Sequence, residues 1–221
     1  MRMRNKPWAR PELEACSYFI GEPSEMKGKW LERFPKQQPV HIELGCGKGV
    51  FAAESGTANP GINYIAMDIE YKMLGVARRK ISAMYEEKGM QVDNLLLTVC
   101  NIERISEIFL PDERIADRIY INFCNPWPRN KHKKHRLTHP RQLEQYKAIM
   151  KPGAQIRFKT DDDGLFDDSL EYFAECGFKI TYLTRDLHKE DFPENIMTEH
   201  EKMFSDEGIP IKFLIAEVEG H

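Results

Sequence analysis

Residues 41–49 read His-Ile-Glu-Leu-Gly-Cys-Gly-Lys-Gly, an apolar run that ends near an acid and passes into three alternating glycines. Without Cβ atoms, Gly45, Gly47 and Gly49 let the backbone turn sharply and come close to a ligand where a strand gives way to a helix. Asp68 ends the next apolar run, twenty-five residues after Glu43, and a carboxylate there can accept hydrogen bonds from both hydroxyls of a ribose. Together these features describe a site for a nucleoside-type cofactor. A dinucleotide site uses Gly-x-Gly-x-x-Gly with a helix N-terminus facing a pyrophosphate. Here the third glycine comes one residue early and Glu43 stands just before the turn. A carboxylate in that place repels a pyrophosphate and attracts the ammonium of a methionine moiety. The expected cofactor is therefore S-adenosyl-L-methionine, with S-adenosyl-L-homocysteine as product. A P-loop is excluded, because Gly45–Gly49 lacks the Gly-Lys-Ser/Thr ending.

A second group of residues suits a nucleic-acid substrate. Residues 121–128 read Ile-Asn-Phe-Cys-Asn-Pro-Trp-Pro, and residues 129–136 follow with five formal positive charges in eight positions. The prolines hold the loop extended, Trp127 offers a flat face for packing or stacking, and Arg129, Lys131, Lys133, Lys134 and Arg136 are candidates to grip RNA phosphates. The first ten residues carry Arg2, Arg4, Lys6 and Arg10 without an acid, whereas 161–175 holds seven acids and no base. The formal net charge of -3 gives no global field, so charge has to be read locally.

The elements that must position these groups follow from periodicity. Seven short apolar runs, Val40–Leu44, Asn63–Asp68, Leu95–Cys100, Arg118–Phe123, Gln155–Thr160, Lys179–Thr184 and Lys212–Val218, alternate with helical stretches at Gly49–Ser55, Tyr71–Lys88, Pro140–Met150 and Leu165–Cys176. That alternation predicts an α/β fold, a mostly parallel seven-stranded sheet with helices on both faces. Ligands of such sheets bind beyond the carboxyl ends of the strands where strand order reverses, which brings the loops after the first and fourth strands together. Residues 1–39 read as a basic N-terminal arm with a short helical segment, mobile over its first ten residues, and 40–221 as the catalytic domain. Residues 185–210 read as a long loop. With 221 residues, 41% of them apolar, the chain can bury one substantial core. It shows no membrane-length apolar run, and its first residues lead into no hydrophobic signal core, so a cytoplasmic location is expected. Its five cysteines have no C-x-x-C spacing, so no metal site is expected.

In combination, Glu-Leu-Gly-Cys-Gly-x-Gly, Asn-Pro-Trp-Pro with its basic run ending His-Arg-Leu-Thr, Phe158-Lys159-Thr160-Asp161 and Met197-Thr198-Glu199-His200-Glu201 resemble the bacterial tRNA (guanine-N7)-methyltransferases over residues 40–218. The resemblance implies a Rossmann-like class I methyltransferase that modifies the variable-loop guanine of tRNA, conventionally position 46. By motif position it implies cofactor contacts from Glu43, Asp68, Asn101 and Asn125, and substrate contacts from Arg129, Asp161, Thr198, Glu199, His200 and Glu201. The chain departs from the family pattern at Asn125, Arg129 and His200, where Asp, Lys and Tyr are common. An asparagine cannot accept from two guanine N–H groups as a carboxylate can, which shifts that task toward Asp161.

Guanine N7 carries an exposed lone pair and no proton, so its methylation needs no general base and none is assigned. The expected catalytic contribution is positioning, with Asp161 stabilising the developing cation. Two rivals remain open at this level. Asn125-Pro126-Trp127 also resembles the Asn-Pro-Pro-aromatic loop that aligns an exocyclic amine, and a non-catalytic RNA-binding module could keep a relic of the cofactor pocket. The sequence is compatible with a monomer or a homodimer.

Overall fold

The computed structural model describes residues 6–218. Eight strands form one sheet: β1 (Phe19–Ile20), β2 (Val40–Leu44), β3 (Asn63–Asp68), β4 (Leu95–Val99), β5 (Ala116–Asn122), β6 (Met150–Thr160), β7 (Phe178–Thr184) and β8 (Lys212–Val218). Their spatial order is β1-β4-β3-β2-β5-β6-β8-β7. All pairings are parallel except those of β8, which runs antiparallel to both neighbours. β2 is buried at every position, as expected of a central strand covered on both faces.

Helices α2 (Val50–Ala58) and α3 (Tyr71–Glu87) lead the chain from β2 outward to β4, while α4 (Pro140–Ile149) and α5 (Asp163–Glu175) belong to the half built outward from β5. Since parallel crossovers are right-handed, the two directions of travel put these helix pairs on opposite faces. The order reverses between β2 and β5, so the loops after these strands meet above the sheet. α3 buries Leu74, Ala77, Ile81 and Tyr85 along one helical face.

The seven expected strands are all present. The eighth, β1, lies in the segment expected to be an arm, and that segment is packed from residue 6 onward. α1 (Ala9–Glu14) lies against α3, where a Cβ on Gly75 would stand only 2.5 Å from Ala9 Cβ. Leu13 and Trp30 are fully buried, and the Trp30 indole donates to the Ile108 carbonyl at 2.9 Å. The mobile-arm expectation is therefore corrected for residues 6–10, where Lys6 and Arg79 lie over the Trp8 ring. Arg2 and Arg4 lie outside the described residues. β1 is two residues long with no alternation to read, which is why periodicity missed it.

The long loop before β8 also has structure. Leu187–Lys189 forms a 3-10 turn and α6 spans Glu199–Asp206. The segment acts as a strap over the β5-β6-β8 part of the sheet, and Leu187 joins Ile211, Phe213 and Ile215 in a second small core against Phe192 and Phe204. No helix among the described residues is long and apolar enough to cross a membrane.

Candidate active site

The glycine turn after β2 adopts the conformation its composition calls for. Gly45, Gly47 and Gly49 have φ of 79°, 54° and 71°, a region costly for residues with a Cβ. Gly49 also fixes the packing, because a Cβ there would stand 2.6 Å from Ala77 Cβ of α3. The Gly47 N–H donates to one Asp68 oxygen at 2.9 Å and the Glu70 N–H to the other at 2.9 Å. Each Asp68 oxygen keeps a second lone pair for a hydroxyl. Cys46, between two of the glycines, is buried, and burial pushes its thiol well above the ordinary range.

The turn walls a cleft of about 480 Å3, lined also by Glu43, Met73, Asn122, Phe123, Thr198, Glu199 and His200. At its floor Glu43 is only 4% exposed. The Asn122 amide donates to Glu43 Oε1 at a long 3.4 Å, while Glu43 Oε2 and Asn122 Oδ1 are buried with no hydrogen-bond partner among the described residues. Desolvation pushes the Glu43 carboxyl up to about 8. A buried carboxyl oxygen beside a buried amide oxygen is costly to leave unmatched, and a cationic N–H donor answers both.

Asn101 and Asn125 also stand at the carboxyl edge of the sheet, after β4 and β5, but both are exposed and neither lines this cleft. Each oxygen serves a local turn, Asn101 Oδ1 accepting from the Glu103 N–H at 3.2 Å and Asn125 Oδ1 from the Trp127 N–H at 3.1 Å. Phe123 and Trp127 are held at φ 51° and 41°, the kind of backbone strain that persists where surrounding structure enforces it. Trp127 packs against His132 and His135.

The basic run after this loop divides by burial. Arg129, Lys131 and Lys134 are exposed and make no ion pair among the described residues. Lys133 is half-buried and pairs with Asp168 of α5 at 2.6 Å. Arg136 is a correction to the expectation of a phosphate contact. It is 3% exposed, its Nε donates to the Pro126 carbonyl at 2.7 Å, and it pairs with the same Asp168. Its guanidinium ties the Asn-Pro-Trp-Pro loop to α5 and is not available to RNA.

The strap completes the cleft. Thr198 caps α6 by accepting from the Glu201 N–H at 3.0 Å, and Glu201 returns the bond to the Thr198 N–H at 3.3 Å, a capping box. Glu201 is fully buried and also meets Lys159 at 2.9 Å, His188 at 3.1 Å and the Asn195 amide at 2.7 Å. The substrate contact expected of Glu201 is thus corrected to anchoring, since its oxygens are engaged inside the fold. Glu199 pairs with Lys48 at 3.3 Å and with Lys80. The exposed ring of His200 stacks on Phe123 with centroids 6.0 Å apart. Asp161, after β6, accepts no hydrogen bond at its carboxylate and joins no ion pair among the described residues, although its carbonyl accepts from Lys212.

Asn122 and Lys159 were not singled out in the sequence. Gln155, Arg157 and Lys159 alternate with Ile156 and Phe158, which reads as a wet face of a strand. The strap covers that face, leaving Arg157 and Lys159 6% and 5% exposed. Lys159 holds the strap through Asn195, the Ile196 carbonyl at 3.0 Å and Glu201. Among the described residues no group of three or more His, Cys, Asp or Glu side chains is arranged to hold a metal ion.

A family model described as "Putative methyltransferase" matches residues 37–214. A tRNA (guanine-N(7)-)-methyltransferase of Clostridium beijerinckii is 60% identical over 216 residues, 98% of either chain. The protein of that name from Acetivibrio thermocellus is 51% identical over 217 residues, 98% of this chain and 99% of the other. The solved "Structure of an Antibiotic Related Methyltransferase" superposes with a TM-score of 0.58 at 17% identity, covering 86% of this chain and 90% of that one. A 16S rRNA (adenine(1408)-N(1))-methyltransferase of Catenulisporales acidiphilia, solved with cosubstrate SAM, gives 0.57 at 16% identity over 90% and 93%. At such identities the solved structures share the fold.

Proposed function

The chain belongs to the tRNA (guanine-N7-)-methyltransferase family of S-adenosylmethionine-dependent enzymes, and from that membership we propose how its site works: it methylates N7 of the variable-loop guanine of tRNA, position 46, releasing S-adenosyl-L-homocysteine. The observation that carries the reading is the unmatched pair Glu43 Oε2 and Asn122 Oδ1 at the floor of the cleft, a donor-seeking pocket that suits the ammonium of a methionine moiety and would repel a phosphate.

When bound, S-adenosylmethionine supplies a methyl group on a sulfonium, an electrophile that needs no activation by the protein. Glu43 and Asn122 would hold its ammonium, the backbone of Gly45–Gly49 would border it, and Asp68 would take ribose hydroxyls with its remaining lone pairs. Asn101 and Asn125 stand further along the same edge with amide N–H groups still available. The guanine has to leave its stack to reach the cleft, at a cost of about a few kcal/mol. Asp161 meets it as an acceptor for its Watson–Crick N–H groups and stabilises the charge that appears on the ring as N7 is alkylated. Thr198, Glu199 and His200 form the strap's wall of the cleft. The protein moves no proton in the transfer itself, so its contribution is alignment and electrostatics. Arg129, Lys131 and Lys134 fix the RNA backbone beside the Asn-Pro-Trp-Pro loop.

The amine-methylating alternative is disfavoured by the full-length relatives, which are named as guanine-N7 enzymes. The test is to incubate the protein with labelled S-adenosylmethionine and unmodified tRNA, then digest the RNA and identify the methylated nucleoside. Recovery of 7-methylguanosine, lost when guanine 46 is replaced, is the expected result. Methylated adenosine, or RNA binding without transfer, would overturn the proposal.

A further inference from the structure

One carboxylate on the strap bridges two lysines from different elements. Glu199 Oε2 lies 3.3 Å from Lys48 Nζ, and Glu199 Oε1 meets Lys80 Nζ. The lysines converge because α3 runs tightly along the glycine turn at Gly49 and Ala77. Lys48 is a residue of that turn, and Lys80 follows Ala77 by three positions on the helix, one turn further along the same side. The group sits on the rim of the cleft, since Lys48 and Glu199 both line it.

Two ammoniums bridged by the two oxygens of one carboxylate are spaced to receive the two non-bridging oxygens of a phosphodiester, whose separation is similar. The pair carries two positive charges against one negative, and its side chains are a third to nearly half exposed. An ion pair that open to water contributes little to stability, so exchanging the carboxylate for an RNA phosphate costs little and releases condensed counterions. The Asn-Pro-Trp-Pro loop, which follows the cleft residues Asn122 and Phe123 along the chain, leads into Arg129, Lys131 and Lys134, exposed and without an ion pair among the described residues. Bases at the cleft rim and after this loop suit an RNA strand with its target base in the cleft.

We propose that Lys48 and Lys80 form a second seat for a phosphate of the substrate RNA, occupied in the RNA-free enzyme by the Glu199 carboxylate, which yields its place when RNA arrives. The inference rests on the reading of the protein as a tRNA methyltransferase and gives Glu199 a role opposite to a direct grip on guanine. Glu199 competes with the substrate for the lysines, and its departure frees the strap residue next to Thr198 and His200 to adjust around the base.

The sign of one substitution decides between the two roles. Binding of unmodified tRNA is measured across a salt titration for the full-length protein and for Glu199→Gln, Lys80→Ala and the double variant, with S-adenosylmethionine binding as a check on folding. Glu199→Gln is expected to tighten tRNA binding severalfold and to steepen its salt dependence, because the lysines lose their internal competitor. Lys80→Ala is expected to weaken binding and flatten the slope of log K against log salt by about one. In the double variant the gain from Glu199→Gln shrinks. Weaker or unchanged binding by Glu199→Gln, or an unchanged slope for Lys80→Ala, overturns the proposal. Failure of the underlying function reading would show separately, as wild-type protein that forms no 7-methylguanosine.

Discussion

Substituting Glu43→Gln should make the ligand-free protein more stable while making it a poorer binder of its cofactor. In the folded chain desolvation holds the Glu43 carboxyl at about 8 against an ordinary 4.5, so the folded state keeps a proton that the unfolded state has released. Stability therefore falls as pH rises from 4.5 toward 8, and the linkage amounts to about 3 kcal/mol at pH 7 and about 4 kcal/mol at pH 8. A neutral amide avoids that penalty, and its NH2 can donate to the unmatched Asn122 Oδ1. If half the penalty at pH 8 is recovered, Tm rises by about 4–8 °C for a chain of this size. Binding moves the other way. Truncating one side of a buried charge pair costs about 2–5 kcal/mol, from which the cost of ionising Glu43 at pH 7, about 1.4 kcal/mol, is subtracted. The net loss of about 0.6–3.6 kcal/mol raises Kd roughly 3- to 400-fold. Scanning calorimetry at pH 5 and 8 with isothermal titration of S-adenosylmethionine measures both quantities. Wild-type affinity should also improve as pH approaches 8, and the variant should lose that slope. A Tm that falls at pH 8, or an unchanged Kd, refutes the reasoning.

Other outcomes follow from the same geometry. Asp161→Asn removes a carboxylate that has no internal partner and should lower kcat/KM by about 10- to 100-fold, the worth of one or two charge-assisted hydrogen bonds, with little change in Tm; full activity would remove Asp161 from base recognition. Arg136→Ala should lower stability by about 2–3 kcal/mol, since it strips Asp168 of a buried partner, yet leave the salt slope of tRNA binding unchanged. Lys131→Ala and Lys134→Ala should instead each flatten that slope by about one and leave thermal unfolding unaltered. Gly49→Ala meets both φ 71° and a 2.6 Å approach to Ala77, and should cost more than about 2 kcal/mol in urea unfolding.

The sheet was legible in the sequence because parallel strands covered on both sides leave near-continuous apolar runs, as at Val40–Leu44 and Asn63–Asp68. The glycine turn after β2 was legible because glycine at a forced positive φ leaves a mark no other residue can substitute. What escaped was structure made by contact rather than by pattern. β1 and the 3-10 turn at Leu187 are too short to show a period, and α6 begins at a capping box, Thr198 and Glu201, that reads equally well as a substrate motif. Charge misled in the basic run for a related reason. Lys131 and Arg136 look alike in sequence, and only Asp168 and the Pro126 carbonyl distinguish the exposed base from the buried one.

The strap, which the sequence reads as a plain loop, covers one face of the sheet, and that has a physical origin. Register places Glu43 beside Tyr120 and Arg157, and Asn122 beside Lys159 and Phe213. A polar row thus runs from the Glu43 floor of the cleft under the strap to the second small core. Strands facing a helix would carry apolar residues there. A strap of irregular backbone instead needs polar partners for its own carbonyls and side chains, and Lys159 meets that need at Asn195, Ile196 and Glu201. The alternation that reads as a solvent face in β6 is therefore the imprint of a loop that has to be held by hydrogen bonds. Because that loop carries Thr198, Glu199 and His200 to the cleft, the residues that anchor the strap also set the distance between the Glu43 floor and the strap wall of the cleft.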